Sequence, residues 1–181
     1  MIILFNSVFN YIKNPRLKLL KHITFKQKLE LVLQCLPLCI MLGLGFGLLT
    51  IILEALGFYS SDSHAFNKLL EEQSKISIIF SAVILAPVIE ELIFRGPMSL
   101  FNKKYFKIGF YALTIIFGYV HIFNFKITPE IILLSPLLIA PQLAVGSVFG
   151  YVRVRLGLVY SMLLHACYNG ILVIPAVLTI G

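Results

Sequence analysis

The sequence predicts an all-α protein: a multi-pass bundle of about five transmembrane helices, preceded by a helix lying in the membrane interface. Three observations predict it. The 181-residue chain is 59% hydrophobic and only 13% charged, about half the charged fraction of an ordinary soluble domain. Five apolar stretches are long enough for the roughly 20 helical residues that cross a bilayer core. The basic residues fall almost entirely at the ends of these stretches, the pattern that orients membrane helices rather than one that grips nucleic acid.

The first element, 1–28, has an apolar start followed by six basic residues, Lys13, Arg16, Lys18, Lys21, Lys26 and Lys28. A cleaved signal peptide reverses that order, so an amphipathic interfacial helix is expected. Spans follow over 29–57, 76–98, 106–123, 131–151 and 158–180. In the fourth, Pro136 and Pro141 each remove a backbone donor, which predicts a bent or two-piece helix. The domain organisation is therefore a basic segment (1–28), a first span with its loop (29–75), and a helical bundle carrying the polar motifs (76–181). No internal repeat is present.

Counted by connecting segment, twelve basic residues fall on one side, including Arg95, Lys103, Lys104, Lys107, Arg153 and Arg155. Three fall on the other. The positive-inside rule then places the N-terminus in the cytoplasm and the C-terminus across the membrane, with the cell membrane as the expected location. Cys35, Cys39 and Cys167 lie in apolar segments, where cysteine packs as a small hydrophobe. Gly43-x3-Gly47 and Gly146-x3-Gly150 have the spacing that lets helices touch in lipid.

Charges near a bilayer centre are costly, about 2.5–3.5 kcal/mol on insertion scales, and mark function or pairing. The deep polar groups are Glu90, Glu91, Arg95, His121, His165 and Asn169. Glu91 and Arg95 are four apart and share a helix face, which predicts an ion pair. Glu90 points about 100° away, leaving it free to face a cavity as a general base. His165 and Asn169, also four apart, point together at one centre. His121 closes the stretch Phe117 to His121 in another span. His22 and His64 sit in polar connections and carry no expected role. Two imidazoles and a carboxylate can hold a zinc ion with one position open, or hold a water directly. In either case water attacks a peptide carbonyl, and Asn169 can donate to the oxyanion. No serine-nucleophile motif and no His-Glu-x2-His is present.

Glu90-Glu91-x3-Arg95, Phe117-x3-His121 and His165-x3-Asn169, in that order and in separate helices, resemble the CAAX protease and bacteriocin-processing (CPBP, or Abi) family. The resemblance covers 76–181 and includes the Arg153-x-Arg155-Leu156-Gly157 turn. It implies a catalytic membrane bundle with Glu90 as water-activating base and His121 and His165 holding the water or a metal. Asn169 would serve the oxyanion site, with Glu91, Arg95 and Phe117 in support. Zinc, if used, would sit on His121, His165 and Glu90. The expected partners are the lipid bilayer and a peptide or lipidated-protein substrate, with no nucleic acid. A bacteriocin-immunity or scaffold protein that keeps the bundle without catalysis is the alternative. A proton-relaying transporter is a third reading, disfavoured by the absence of paired broken helices. One tension attends these expectations. A straight third span carries His121 about 21 Å from its start, so for the motifs to meet either that span tilts and starts later or the second helix extends beyond Met98, and the extension is expected.

Overall fold

The computed structural model describes residues 2–60 and 73–179. The acidic residues Asp62, Glu71 and Glu72 and also His64, from the connection between the first two spans, lie outside the described residues. So do residue 180, the last of the fifth expected span, and residue 181.

Helix α1 (Ile2–Lys13) leaves Ile2, Ile3, Phe5 and Phe9 exposed and buries Val8 and Tyr11 against the bundle. An exposed apolar face of this kind fits a helix lying in the membrane interface. A non-helical strap, 14–24, then leads to Thr24. The Thr24 hydroxyl accepts from Gln27 N–H, and the Gln27 carboxamide accepts from Thr24 N–H. This reciprocal cap starts α2 (Phe25–Ala55), the first crossing helix.

The second crossing helix is compound. It runs as α3 (Lys75–Phe80), a π-helical turn (Ser81–Leu85), α4 (Ala86–Phe94) and a 3₁₀ segment (Gly96–Leu100). Pro87 explains the wide turn. A proline ring clashes with the carbonyl four residues back and offers no N–H. Ala86 N–H accordingly reaches back to Ser81 O, one residue further than an α-helix allows. Helix α5 (Phe106–Val120) ends in a 3₁₀ turn (His121–Asn124). The fourth crossing is two-piece, as its prolines predict: α6 (Pro129–Leu138) stops, and α7 (Ala140–Leu156) restarts with Pro141 in its first turn. There the missing N–H has no partner to lose. Helix α8 (Leu158–Thr179) closes the bundle after Gly157, whose φ of +112° suits glycine alone.

Five helical runs are thus long and apolar enough to cross a membrane, Phe25–Ala55, Lys75–Leu100, Phe106–Asn124, Pro129–Leu156 and Leu158–Thr179. Among the described residues there is no strand. The apolar residues that remain exposed, such as Leu44, Ile108, Leu133 and Val159, face outward from every span, which fits lipid as the solvent. This is an integral membrane protein.

Helix α7 is the hub, packed on α2, α5 and α8. Glycine sets those approaches. A Cβ on Gly146 would lie 2.8 Å from Arg95 Nη2 and from the Phe117 ring, and one on Gly150 would lie 2.7 Å from the Phe110 ring. In α2 only half of the expected pattern is used: a Cβ on Gly43 would strike the Tyr168 ring, whereas one on Gly47 meets nothing within 4 Å.

Candidate active site

Glu90 and Glu91 stand side by side on α4 and have different surroundings. Glu91 is fully buried. Its Oε1 lies 3.5 Å from Arg95 Nη1, the expected i,i+4 pair, and 3.1 Å from His165 Nδ1. Its Oε2 accepts from Ser161 Oγ, which also sits 3.0 Å from the Phe149 carbonyl. Every Glu91 oxygen is therefore engaged. The Glu90 side chain keeps 27% exposure and lines a cavity of about 250 Å³ together with Phe117, His121, Gln142, His165 and Asn169.

Arg95, also fully buried, is held by three kinds of contact. Its Nη2 donates to the Gly146 carbonyl at 3.0 Å. Its guanidinium lies 3.8 Å from the Phe117 ring centroid, a cation–π geometry that strengthens when dry. Its own carbonyl accepts from Arg153 Nε at 2.9 Å. Phe117, read from sequence as supporting, thus carries Arg95 on its face while packing near both imidazoles, 4.8 Å from His121 and 6.0 Å from His165 by ring centroid.

The tautomers of the histidines follow from their partners. His121 Nδ1 is 2.8 Å from the Phe117 carbonyl, and His165 Nδ1 is 3.1 Å from the Glu91 carboxylate. A carbonyl oxygen only accepts, and so does an ionised carboxylate, so each Nδ1 carries the hydrogen. In the neutral rings the Nε2 lone pairs are then the ones left over. Both Nε2 atoms lie near the same atom, Glu90 Oε2, at 3.9 Å from His121 and 3.8 Å from His165. Glu90 Oε2 is itself buried without a hydrogen-bond partner. Three acceptors converging in this way call for a guest that brings hydrogens or positive charge.

The helical run after Glu90 resolves the depth of His121. It continues to Leu100, beyond Met98, and its last segment is 3₁₀, rising about 2.0 Å per residue instead of 1.5. The longer descent lets α5 climb back to the level of Glu90 with His121 at its end.

Asn169 Nδ2 donates to the Ala82 carbonyl at 2.8 Å. In the π-helical register the partner of Ala82 O would be the N–H of residue 87, which is proline. Asn169 fills that gap with one of its two amide hydrogens, and the other is left for the cavity it lines. The structure therefore brings Glu90, His121, His165 and Asn169 around one cavity, with Phe117 in its wall and Glu91 and Arg95 behind them.

Three contributors were not picked out from the sequence. Ser161, one turn before His165, was legible in the series 161, 165, 169 on one face of α8. Phe149 stacks on His165 at 4.4 Å and 27°; nothing in the sequence distinguishes it from its apolar neighbours. Gln142 lines the cavity, with its Oε1 buried and without a hydrogen-bond partner. Its signal was the position beside Pro141, where the broken span restarts.

Glu90, His121 and His165 offer donor types that zinc accepts. Their separations of 3.8 and 3.9 Å exceed the roughly 3.3 Å between neighbouring donors on a tetrahedral zinc with bonds near 2.0 Å. Among the described residues no group of three His, Cys, Asp or Glu is drawn close enough to hold a metal ion. The donor set suits zinc, provided the side chains draw in by a few tenths of an ångström.

Against protein-family models, residues 72–171 match the type II CAAX prenyl endopeptidase Rce1-like family. The match takes in all three polar motifs and more than half of the chain. The protein belongs to this family. Comparison with curated proteins gives no match, and comparison with solved structures gives none either. Family membership agrees with a helical membrane bundle and with a peptide as substrate.

Proposed function

We propose that the chain is an intramembrane endopeptidase that hydrolyses a peptide bond near the C-terminus of a membrane-associated protein, by a CAAX-type processing reaction. The observation that supports it best is the convergence of two imidazole Nε2 atoms on the unpartnered Glu90 Oε2, in a chain of this family. A water placed there donates one hydrogen to Glu90 and the other to a histidine, which leaves its lone pair directed at a carbonyl. As the water attacks, Glu90 takes its proton and later passes it to the leaving amine. The free amide hydrogen of Asn169 meets the developing oxyanion, held in place by the bond to Ala82 O. Glu91 keeps His165 in the tautomer that presents Nε2. A zinc ion, when bound, would be held by Glu90, His121 and His165 and would make the attacking water more acidic. The N-terminus in the cytoplasm and residence in the cell membrane complete the reading.

Glu90→Gln and His165→Ala are expected to lower processing of a prenylated C-terminal peptide in membranes by about 10²-fold or more. Undiminished processing by both variants sinks the mechanism and leaves the non-catalytic scaffold. The same assay with and without chelator, paired with metal analysis, tests zinc separately. Full activity in verified metal-free protein removes the metal and keeps the hydrolase.

A further inference from the structure

At the other end of α7, away from the motifs, lies a second polar cavity of about 460 Å³ between α1, the strap that follows it and the last turn of α7. Ser7 and Asn10 of α1 and Asn14, the first residue of the strap, line one wall; Tyr11, Arg16, Lys18 and Arg155 line the rest. Among the described residues no carboxylate lines it. Three cations there share a small space with neutral hydrogen-bonding groups and no described counter-ion.

The site is built rather than incidental. The Arg155 guanidinium sits 5.2 Å from the Tyr11 ring centroid and 5.6 Å from that of Tyr151. Its Nη1 lies 3.4 Å from the Lys18 carbonyl, and its own carbonyl accepts from Leu20 N–H at 2.9 Å. These bonds tie the strap to α7 and fix where Arg16 and Lys18 start. Arg155 Nε is nevertheless buried with no hydrogen-bond partner, a donor whose desolvation is uncompensated within the protein. Burial pushes the Tyr11 hydroxyl above its ordinary range, so the ring adds no negative charge. Ser7 Oγ is 3.3 Å from the Tyr151 hydroxyl, completing a wall of neutral groups.

The depth of the cavity selects among anions. Ile2, Phe5 and Phe9 of α1 are exposed and share one face that belongs among acyl chains, whereas Ser7 and Asn10 stand on another side of the same helix. A cavity bounded by such a helix lies at the level of lipid headgroups. From this arrangement we infer that the cleft formed by α1, residues 14–18 and Arg155 binds the phosphate of an anionic phospholipid, which anchors the N-terminal helix to the bundle.

The test is native mass spectrometry of the full chain in detergent, offered phosphatidylglycerol and phosphatidylcholine with identical acyl chains. The wild type should retain phosphatidylglycerol preferentially. Arg155→Gln should reduce that retention about fivefold, the contribution of one cation at an anionic surface. Arg16→Gln, an exposed side chain whose loss leaves the strap bonds intact, should do the same if Arg155→Gln fails to fold. Lys104→Gln, outside the cleft, should leave retention unchanged. Equal retention of both lipids, unchanged retention in the cleft variants, or an equal loss in Lys104→Gln overturns the site. Displacement of the lipid by millimolar inorganic phosphate overturns the lipid assignment in favour of a free phosphate.

Discussion

At the scale of residues, two adjacent glutamates with identical chemistry have opposite surroundings. Glu91 touches Arg95, His165 and Ser161 and sees no cavity; Glu90 lines the cavity and keeps an oxygen unpartnered. Their substitutions should therefore separate. Glu91→Ala leaves Arg95 buried without its counter-ion, a change that costs about 3–5 kcal/mol. It should lower the thermal unfolding midpoint of the purified protein sharply. Glu90→Gln removes no buried ion pair with Arg95 and should leave that midpoint nearly unchanged while activity disappears. If both variants unfold at the same temperature, the division of labour is wrong. The sequence legibly separated the two, because a 100° step per residue forces neighbours apart. It could not show Phe149 as a member of the site. Phenylalanine is ordinary on an apolar helix, and only its stacking on His165 across helices distinguishes this one.

At the scale of elements, proline shapes the site twice. Pro141 restarts the fourth crossing and sets Gln142 at the cavity. Pro87 widens the turn before the glutamates and leaves Ala82 O to Asn169. Pro87→Ala restores a backbone N–H that competes for Ala82 O. A net hydrogen bond of this sort is worth about 1 kcal/mol, so activity should fall roughly fivefold as Asn169 loses its anchor, with helix content by circular dichroism preserved. Unchanged activity would show that the π-helical turn does not set the position of Asn169. The break in the fourth span was readable from its prolines, since their effect is local. The π-helical turn was not: it depends on which carbonyl finds a partner across the bundle, and that partner comes from α8.

At the scale of the whole molecule, the bilayer organises everything else. With the basic residues divided twelve to three, single cysteines placed at Lys103 and at Lys126 in a chain lacking the native three should react with impermeant maleimide from opposite faces. The Lys103 position should be labelled from the cytoplasm. Labelling of both from one face would require a different number of crossings. The number of spans, their order and the identities of Glu90, His121, His165 and Asn169 were all determined by the sequence alone, because lipid demands long apolar helices and makes each intramembrane polar residue conspicuous. Only the tertiary structure decided that those residues meet. It set the depth of His121 through a 3₁₀ extension, the tautomer of each imidazole through its Nδ1 partner, and the orientation of Asn169 through a carbonyl that proline had orphaned. These are long-range facts: they depend on which atoms of different helices lie within hydrogen-bond reach, and helical periodicity within one span carries no information about the next.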